Sequence, residues 1–521
     1  VSIRLSRMVL TAFAVSLAAA AALGPAPVAR ASGYATISGS GSSWSSVALA
    51  QWAENLRADG IVINFNPDGS AAGRADYMAQ QVDFAASDPP FRNGTDKLGG
   101  AGAEYPSVGY SYVPDTAGGT AFMYHLTVAG HLVTNLRLSG LTLMKIFTGQ
   151  ITNWDDPQIT KDYGAQLPDE RIIPVIRSDG SGATFFFTRW MATMFPAQWN
   201  AFCSQVTHGR VQPPCGQTEF YPQFPGAVAQ DGSNNVATYI SASYGEGAIG
   251  YDEYAYALNS HFPVVKLLNP AGYYVLPTAS NVAVALTRAQ INEDPGSVNF
   301  LQQDLDNVYT YTDPRSYPLS SYSYLIVPRS GTAIPTDFTG AAGQTLSTFV
   351  NYFLCAGQQF AAELGYSPLP LNLIQGGLLQ EARIPGHVAP ANLATNCDNP
   401  TIRNGQLTIL ADAPEPSPCD KLGEPLDCVV VDGKATTPGA GGAMASASAS
   451  AGITGTTSGS SGSGSGPAVQ AGPVTGTVVN LAAGANDSSM LAVLTAAEIL
   501  VVIAAPPAIY ALVRRRRRAP R

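Results

Sequence analysis

Arg171-Ile172-Ile173-Pro174-Val175-Ile176-Arg177-Ser178-Asp179-Gly180-Ser181-Gly182-Ala183-Thr184 decides the architecture. The first six residues read as a buried strand, and an apolar helical pattern starts at Gly182 and runs to Met194. Between them lies a turn of Gly, Ser and Asp with an arginine at its edge. The unit recurs upstream. Ser38-Gly39-Ser40-Gly41-Ser42-Ser43-Trp44 precedes a helical stretch over 45–58 that carries Leu49, Trp52 and Leu56. Ile61-Val62-Ile63-Asn64-Phe65 is a strand, followed by Asp68-Gly69-Ser70-Ala71-Ala72-Gly73 and a helix over 71–80. A further helix is expected over 342–364. Strands alternating with helices argue α/β layers.

Each turn puts glycine and serine where a helix begins. The first N–H groups of a helix have no internal partner, and its dipole favours an anion there. Glycine lets the backbone approach a ligand, serine adds a rotatable donor, and Arg177 adds a charged fork of donors. One such turn is commonly just an N-cap. Three in one chain, one beside an arginine, point to a shared anion site. None has the GxxxxGK[ST] spacing of a nucleotide loop or the GxSxG of a nucleophile elbow.

Val82-Asp83-Phe84-Ala85-Ala86-Ser87-Asp88-Pro89-Pro90 adds a carboxylate at the end of a short strand. Asp88 either caps the turn before Pro89 or faces the anion. The second reading requires an anion that carries a proton. Monohydrogen phosphate can donate to a carboxylate, whereas sulfate offers only lone pairs and is repelled.

The composition restricts the alternatives. The 521 residues carry a formal charge of −9, and 12% are charged, about half the roughly 25% usual for soluble domains. Both ends are basic, and without 1–31 and 490–521 the remainder is −17. That field repels nucleic-acid backbones, so no nucleic-acid partner is expected, and any bound anion must be held by local geometry.

The ends indicate export. Arg4 and Arg7 precede an apolar run over 8–23, and Ala29-Arg30-Ala31 fits a leader cleavage site, giving a signal peptide over 1–31. Residues 490–513 are long and apolar enough to span a bilayer, and Arg514 to Arg518 should hold the tail 514–521 inside. Residues 436–489, rich in Ala, Ser, Gly and Thr, read as a flexible linker. Cell-wall sorting is the alternative to a stable anchor. Six cysteines lie on the exported side. Short spacing favours Cys203–Cys215 and Cys419–Cys428, leaving Cys355–Cys397. No CxxC or HExxH marks a metal site, and no cofactor is called for.

In order, SGSGSSW (38–44), DGSAAG (68–73), DFAASD (83–88), FTGQITNWDD (147–156), RSDGSGAT (177–184) and GAIGYDEYAYA (247–257) resemble the phosphate-binding protein of the high-affinity phosphate ABC importer, over about 34–390. The resemblance implies a type II periplasmic-binding-protein fold, two α/β lobes with a hinge closing on one oxyanion. It implies a site of Ser43 and Trp44 (hydroxyl and backbone donors), Ser70 (donor), Asp88 (proton acceptor), Arg177 (donor), Asp179 (holding Arg177), and Ser181, Gly182 and Ala183 (donors at the third helix start). Ala183 stands where the family usually has Thr, so one hydroxyl is missing, and Thr184 is a candidate to replace it. Tyr251, Tyr254 and Tyr256 read as packing.

The expected plan is lobe one at 34–108 and 318–390, lobe two at 109–317, and a cysteine-containing extension at 391–435. The expected function is capture of inorganic phosphate outside the cell membrane and delivery to ABC permease subunits served by a cytoplasmic ATPase. The protein is expected to be a monomer tethered by 490–513, and not an enzyme. A tethered phosphate sensor or adhesion protein is the alternative, and a phosphatase using Ser181 a third.

Overall fold

Eight strands build one mixed sheet: β1 (Ile37–Gly41), β2 (Ile63–Asn66), β3 (Phe84–Ser87), β4 (Tyr110–Tyr124), β5 (Ile173–Arg177), β6 (Val228–Gln230), β7 (Ala248–Glu253) and β8 (Ser320–Pro328). Their order across the sheet is β2-β1-β3-β8-β4-β7-β5-β6. The computed structural model describes residues 33–388, 397 and 399–437. The expected signal peptide, the span 490–513, the basic tail and the linker beyond 437 lie outside the described residues. Among those described, no helix is long and apolar enough to cross a membrane.

The sheet has two parallel wings. β1 pairs in parallel with β2 and β3, and β5 pairs in parallel with β7 and β6. Two antiparallel strands join the wings. β8 pairs with β3 and with the first part of β4. From Thr120 onward β4 pairs instead with β7, the register running from Thr120↔Glu253 to Tyr124↔Ile249. A single continuous strand is therefore shared by both wings. Inner strands of the wings are covered by helices on both faces: every residue of β3 and of β7 is buried, whereas the edge strands β2 and β6 are partly exposed.

The helices that matter for the site follow the parallel strands: α1 (Ser46–Arg57) after β1, α2 (Ser70–Met78) after β2, α3 (Gly182–Met194) after β5 and α4 (Gly232–Ser241) after β6. The expected bounds of α1, α2 and α3 hold to within one or two residues; α4 was not expected. The bounds of the helix expected over 342–364 do not hold. It runs Gly340–Leu354 and gives way to a tighter turn at Ala356–Phe360. Cys355 leaves helical geometry with ψ −102°, and the chain turns so that the Gly357 carbonyl accepts from Trp52 Nε1 at 2.9 Å.

Three disulfides are present, Cys203–Cys215, Cys355–Cys397 and Cys419–Cys428, the pairing that spacing favoured. Residues 399–437 are folded against the α/β body. Asn399 donates to the Leu354 carbonyl at 3.1 Å. Lys266 pairs with Asp420 at 2.6 Å, and Arg137 donates to the carbonyls of Cys419 and Glu424.

Candidate anion site at the strand ends

The C-terminal ends of β1, β2, β3 and β5 lead into the quoted turns, and β6 leads into Asp231-Gly232-Ser233, the position where α/β sheets place ligands. The first turn leaves β1 at Gly41, whose φ is +133° and where a Cβ would lie 2.0 Å from the Ala86 carbonyl oxygen. Only glycine fits, and the turn is thereby pressed against the strand that delivers Asp88.

Asp88 is buried. Ser42 Oγ donates to both its oxygens at 2.8 and 3.0 Å. Ser70 Oγ donates to Oδ2 at 3.2 Å and Ser323 Oγ to Oδ1 at 2.6 Å. These hydroxyls come from three different segments, so the carboxylate is not the cap of its own turn. Burial raises its pKa above the usual carboxylate value, while the hydroxyls and the Arg177 charge pull it back. A methyl group at position 182 would sit 1.9 Å from Asp88 Oδ2. Glycine there lets the start of α3 meet the carboxylate directly.

Arg177, 2% exposed, ends β5. Its Nε donates to Asp179 Oδ1 at 2.7 Å and its Nη2 to Asp179 Oδ2. That ion pair fixes the guanidinium and keeps it charged. The other donors reach only neutral hydroxyls: Nη2 to Ser43 Oγ at 2.8 Å and Nη1 to Ser233 Oγ at 3.1 Å. Asp252, on β7, also faces this charge. Burial lifts its pKa to about 6, with Arg177 pulling the other way.

The remaining expected residues fall around these two centres. Ser43 Oγ lies 2.8 Å from Ser233 Oγ. The Trp44 N–H goes to Ser42 Oγ at 3.2 Å, and its indole packs edge-on against Tyr366. Ser70 is the first residue of α2, and the Ala71 N–H donates to the Gly180 carbonyl at 3.0 Å, joining the second turn to the third. Ser181 caps α3 and accepts from Thr184 N. Ala183 is buried in the first turn of α3. The Thr184 hydroxyl is held at 2.8 Å by Tyr251 OH. Tyr251 packs among Phe147, Phe187 and Tyr221. Tyr256 does more than pack: its hydroxyl donates to the Ser43 carbonyl at 2.6 Å and braces the first turn.

Three participants escape the sequence reading: Ser42, Ser233 and Ser323. Ser42 lies inside the quoted first turn. Ser233 had a signal, because Asp231-Gly232-Ser233 repeats the Asp-Gly-Ser of 68–70 and 179–181. Ser323 sits in strand β8 with nothing local to mark it. Among the described residues, no group of three or more His, Cys, Asp or Glu could hold a metal ion.

The PBP superfamily domain matches residues 26–356. A phosphate-binding protein PstS of Xylella fastidiosa is 31% identical over 344 residues, 65% of this chain and 83% of the relative. A phosphate-binding protein PstS of Pasteurella multocida is likewise 31% identical over 344 residues, covering 88% of the relative. The solved structure of a high-affinity periplasmic phosphate-binding protein, bound with phosphate, aligns at 20% identity with a TM-score of 0.48, over 66% of this chain and 92% of that one.

Proposed function

Because the chain belongs to the PBP superfamily, and to its phosphate-binding proteins PstS, we propose that it captures inorganic phosphate outside the cytoplasm and passes it to an ABC permease. The anion is held by Ser43, Trp44 and Ser70 from one lobe and by Arg177, Ser181, Gly182 and Ala183 from the other. Asp88 accepts the proton of monohydrogen phosphate, and Asp179 holds Arg177.

One observation supports this most: a buried carboxylate and a buried guanidinium with only hydroxyls on its spare donors stand at the ends of neighbouring parallel wings. A fully ionised anion would be drawn by Arg177 and rejected by Asp88. An anion with one proton satisfies both. Residues 34–108 and 318–390 form lobe one in this reading, and 109–317 lobe two. The strands β4 and β8 are the connection about which they move. Phosphate favours closure because only the closed state presents both donor sets.

The three disulfides fit an oxidising compartment. The anchor at 490–513 and the leader at 1–31 belong to the same proposal, as does the permease with its ATPase. The protein performs no chemistry on its ligand.

Calorimetric titration of the purified protein tests the reading. Phosphate should bind tightly and sulfate should give no heat at pH 7.5. Equal binding of the two anions would sink it.

A further inference from the structure

The anion site as read so far lacks one hydroxyl. Ala183 carries none, and the Thr184 hydroxyl is committed to Tyr251. Ser233 stands where a replacement is needed. It is fully buried, in the first turn of the ten-residue helix α4. Its Oγ accepts from Arg177 Nη1 at 3.1 Å and lies 2.8 Å from Ser43 Oγ. Its backbone N–H also donates to Ser43 Oγ, at 3.2 Å. Ser43, Ser233 and two guanidinium nitrogens thus close a small ring of donors and hydroxyl oxygens, with the buried Asp252 carboxylate also facing the Ser233 hydroxyl. A hydroxyl is a weaker acceptor for these groups than an anionic oxygen.

The helix start is also locked to the arginine. The Gly232 N–H donates to Asp179 Oδ1 at 3.0 Å, the oxygen that also takes Arg177 Nε. Gly232 has a φ of +70°, which brings that N–H round to the carboxylate. Two other Asp-Gly-Ser turns meet here. A Cβ on Gly69 would lie 2.6 Å from Asp179 Oδ2, and one on Gly180 would lie 2.3 Å from Ala71 Cβ. Three copies of one tripeptide, each at a helix start, therefore converge on Asp179.

We propose that Ser233 is a direct ligand of the bound oxyanion, donating through its hydroxyl and its backbone N–H, and that it supplies the hydroxyl absent at Ala183. This rests on the phosphate reading above. On binding, an anionic oxygen takes the place of Ser43 Oγ as acceptor for the Ser233 N–H, and the two serine hydroxyls turn from each other toward the ligand.

The test is phosphate titration of the full chain and of Ser233→Ala, Ser233→Thr, Ser233→Val and Ala183→Thr/Ser233→Ala. Ser233→Ala should weaken phosphate binding roughly ten- to a hundred-fold, the effect of one hydrogen bond to a charged group. Ser233→Thr should stay within about threefold, because the hydroxyl remains. Adding Ala183→Thr to Ser233→Ala should recover most of the loss, which a purely structural defect at 233 would not allow. Should Ser233→Ala fail to fold, the near-isosteric Thr and Val variants carry the same comparison. Equal affinities for Thr and Val, or for Ser233→Ala and the unaltered chain, would overturn the inference while leaving the phosphate reading intact. Failure of the unaltered chain to bind phosphate would overturn both.

Discussion

Two of the arginines buried among the described residues, Arg74 and Arg177, are used in opposite ways. Arg74, on α2, has no exposed surface and is paired with two carboxylates. Its Nε donates to Glu104 at 2.8 Å, and its Nη2 to both oxygens of Glu219 at 2.6 and 2.7 Å. Its Nη1 goes to Ser87 Oγ at 2.8 Å. Arg92 completes the set, reaching Glu104 at 2.7 Å and Glu219 at 3.3 Å. Two cations face two anions, and both carboxylates hold Arg74 through Nε and Nη2. Arg177 is nearly as deep, yet only Asp179 pairs with it directly, and its other donors rest on serine hydroxyls. A hydroxyl can be exchanged for a ligand oxygen at small cost; a buried carboxylate cannot. What surrounds a buried arginine, more than its depth, distinguishes a strut from a binding group.

The strut also touches the binding group. The backbone carbonyl of Glu219 accepts from the Ser181 N–H at 3.0 Å, and Ser87 precedes Asp88. Glu219 comes from the segment read as lobe two, whereas Arg74, Arg92 and Glu104 come from lobe one. Arg74→Ala therefore leaves buried glutamates short of a partner. We expect a loss of about 3–5 kcal/mol of stability, the usual cost of halving a buried ion pair, measured by denaturant melts without ligand. A stability loss under about 1 kcal/mol, the level of a surface pair, would break the comparison.

Arg177→Ala should do the reverse. Its hydroxyl partners can bond each other, so stability should fall less than in Arg74→Ala. Phosphate affinity should fall by about 3 kcal/mol, near 150-fold, because an anion is left in a dry site without its only direct cation. Titration calorimetry on the folded variant measures this. An affinity within threefold of the unaltered chain would remove Arg177 from the site.

The contrast was half legible in the sequence. Arg177 announced itself because strand, turn and helix are contiguous and carry their chemistry within eight residues. The same locality made the bounds of α3 and the end of β5 readable, whereas Ser38–Gly41, read as part of a turn, is strand β1. Arg74 could not be seen. Its partners lie 30 and 145 positions away, and nothing local distinguishes it from a solvated helix residue. Ser323 was hidden for the same reason, reaching Asp88 from 235 positions away. Ser233 was overlooked despite a readable repeat, since its turn follows a strand of three residues. Past the end of the helix at Leu354, Trp52 bonds to Gly357, a tertiary contact that periodicity does not encode.

Asp88 offers the finest test, because it can be altered by substitution and by pH alike. Asp88→Asn replaces an acceptor by a side chain with donors of its own. Phosphate should weaken and sulfate should gain, narrowing the preference by about 2 kcal/mol, the scale of one hydrogen bond to a charged group. Acid should act in the same direction on the unaltered chain, more gently. Burial raises the Asp88 pKa in the ligand-free protein, so the carboxyl takes up its proton at a higher pH than a free aspartate would. Once protonated it donates, and sulfate, which has only lone pairs, becomes acceptable. Sulfate affinity should therefore rise as pH falls from 7.5 toward 4.5 through that raised value. In Asp88→Asn the rise should be absent, because the group that titrates is gone. A sulfate affinity that climbs equally in both proteins would assign the effect to another buried acid, and Asp252, with its pKa near 6 beside Arg177, is the group to remove next. A sulfate affinity flat with pH in the unaltered chain would mean that Asp88 stays ionised throughout, with its three serine hydroxyls outweighing burial.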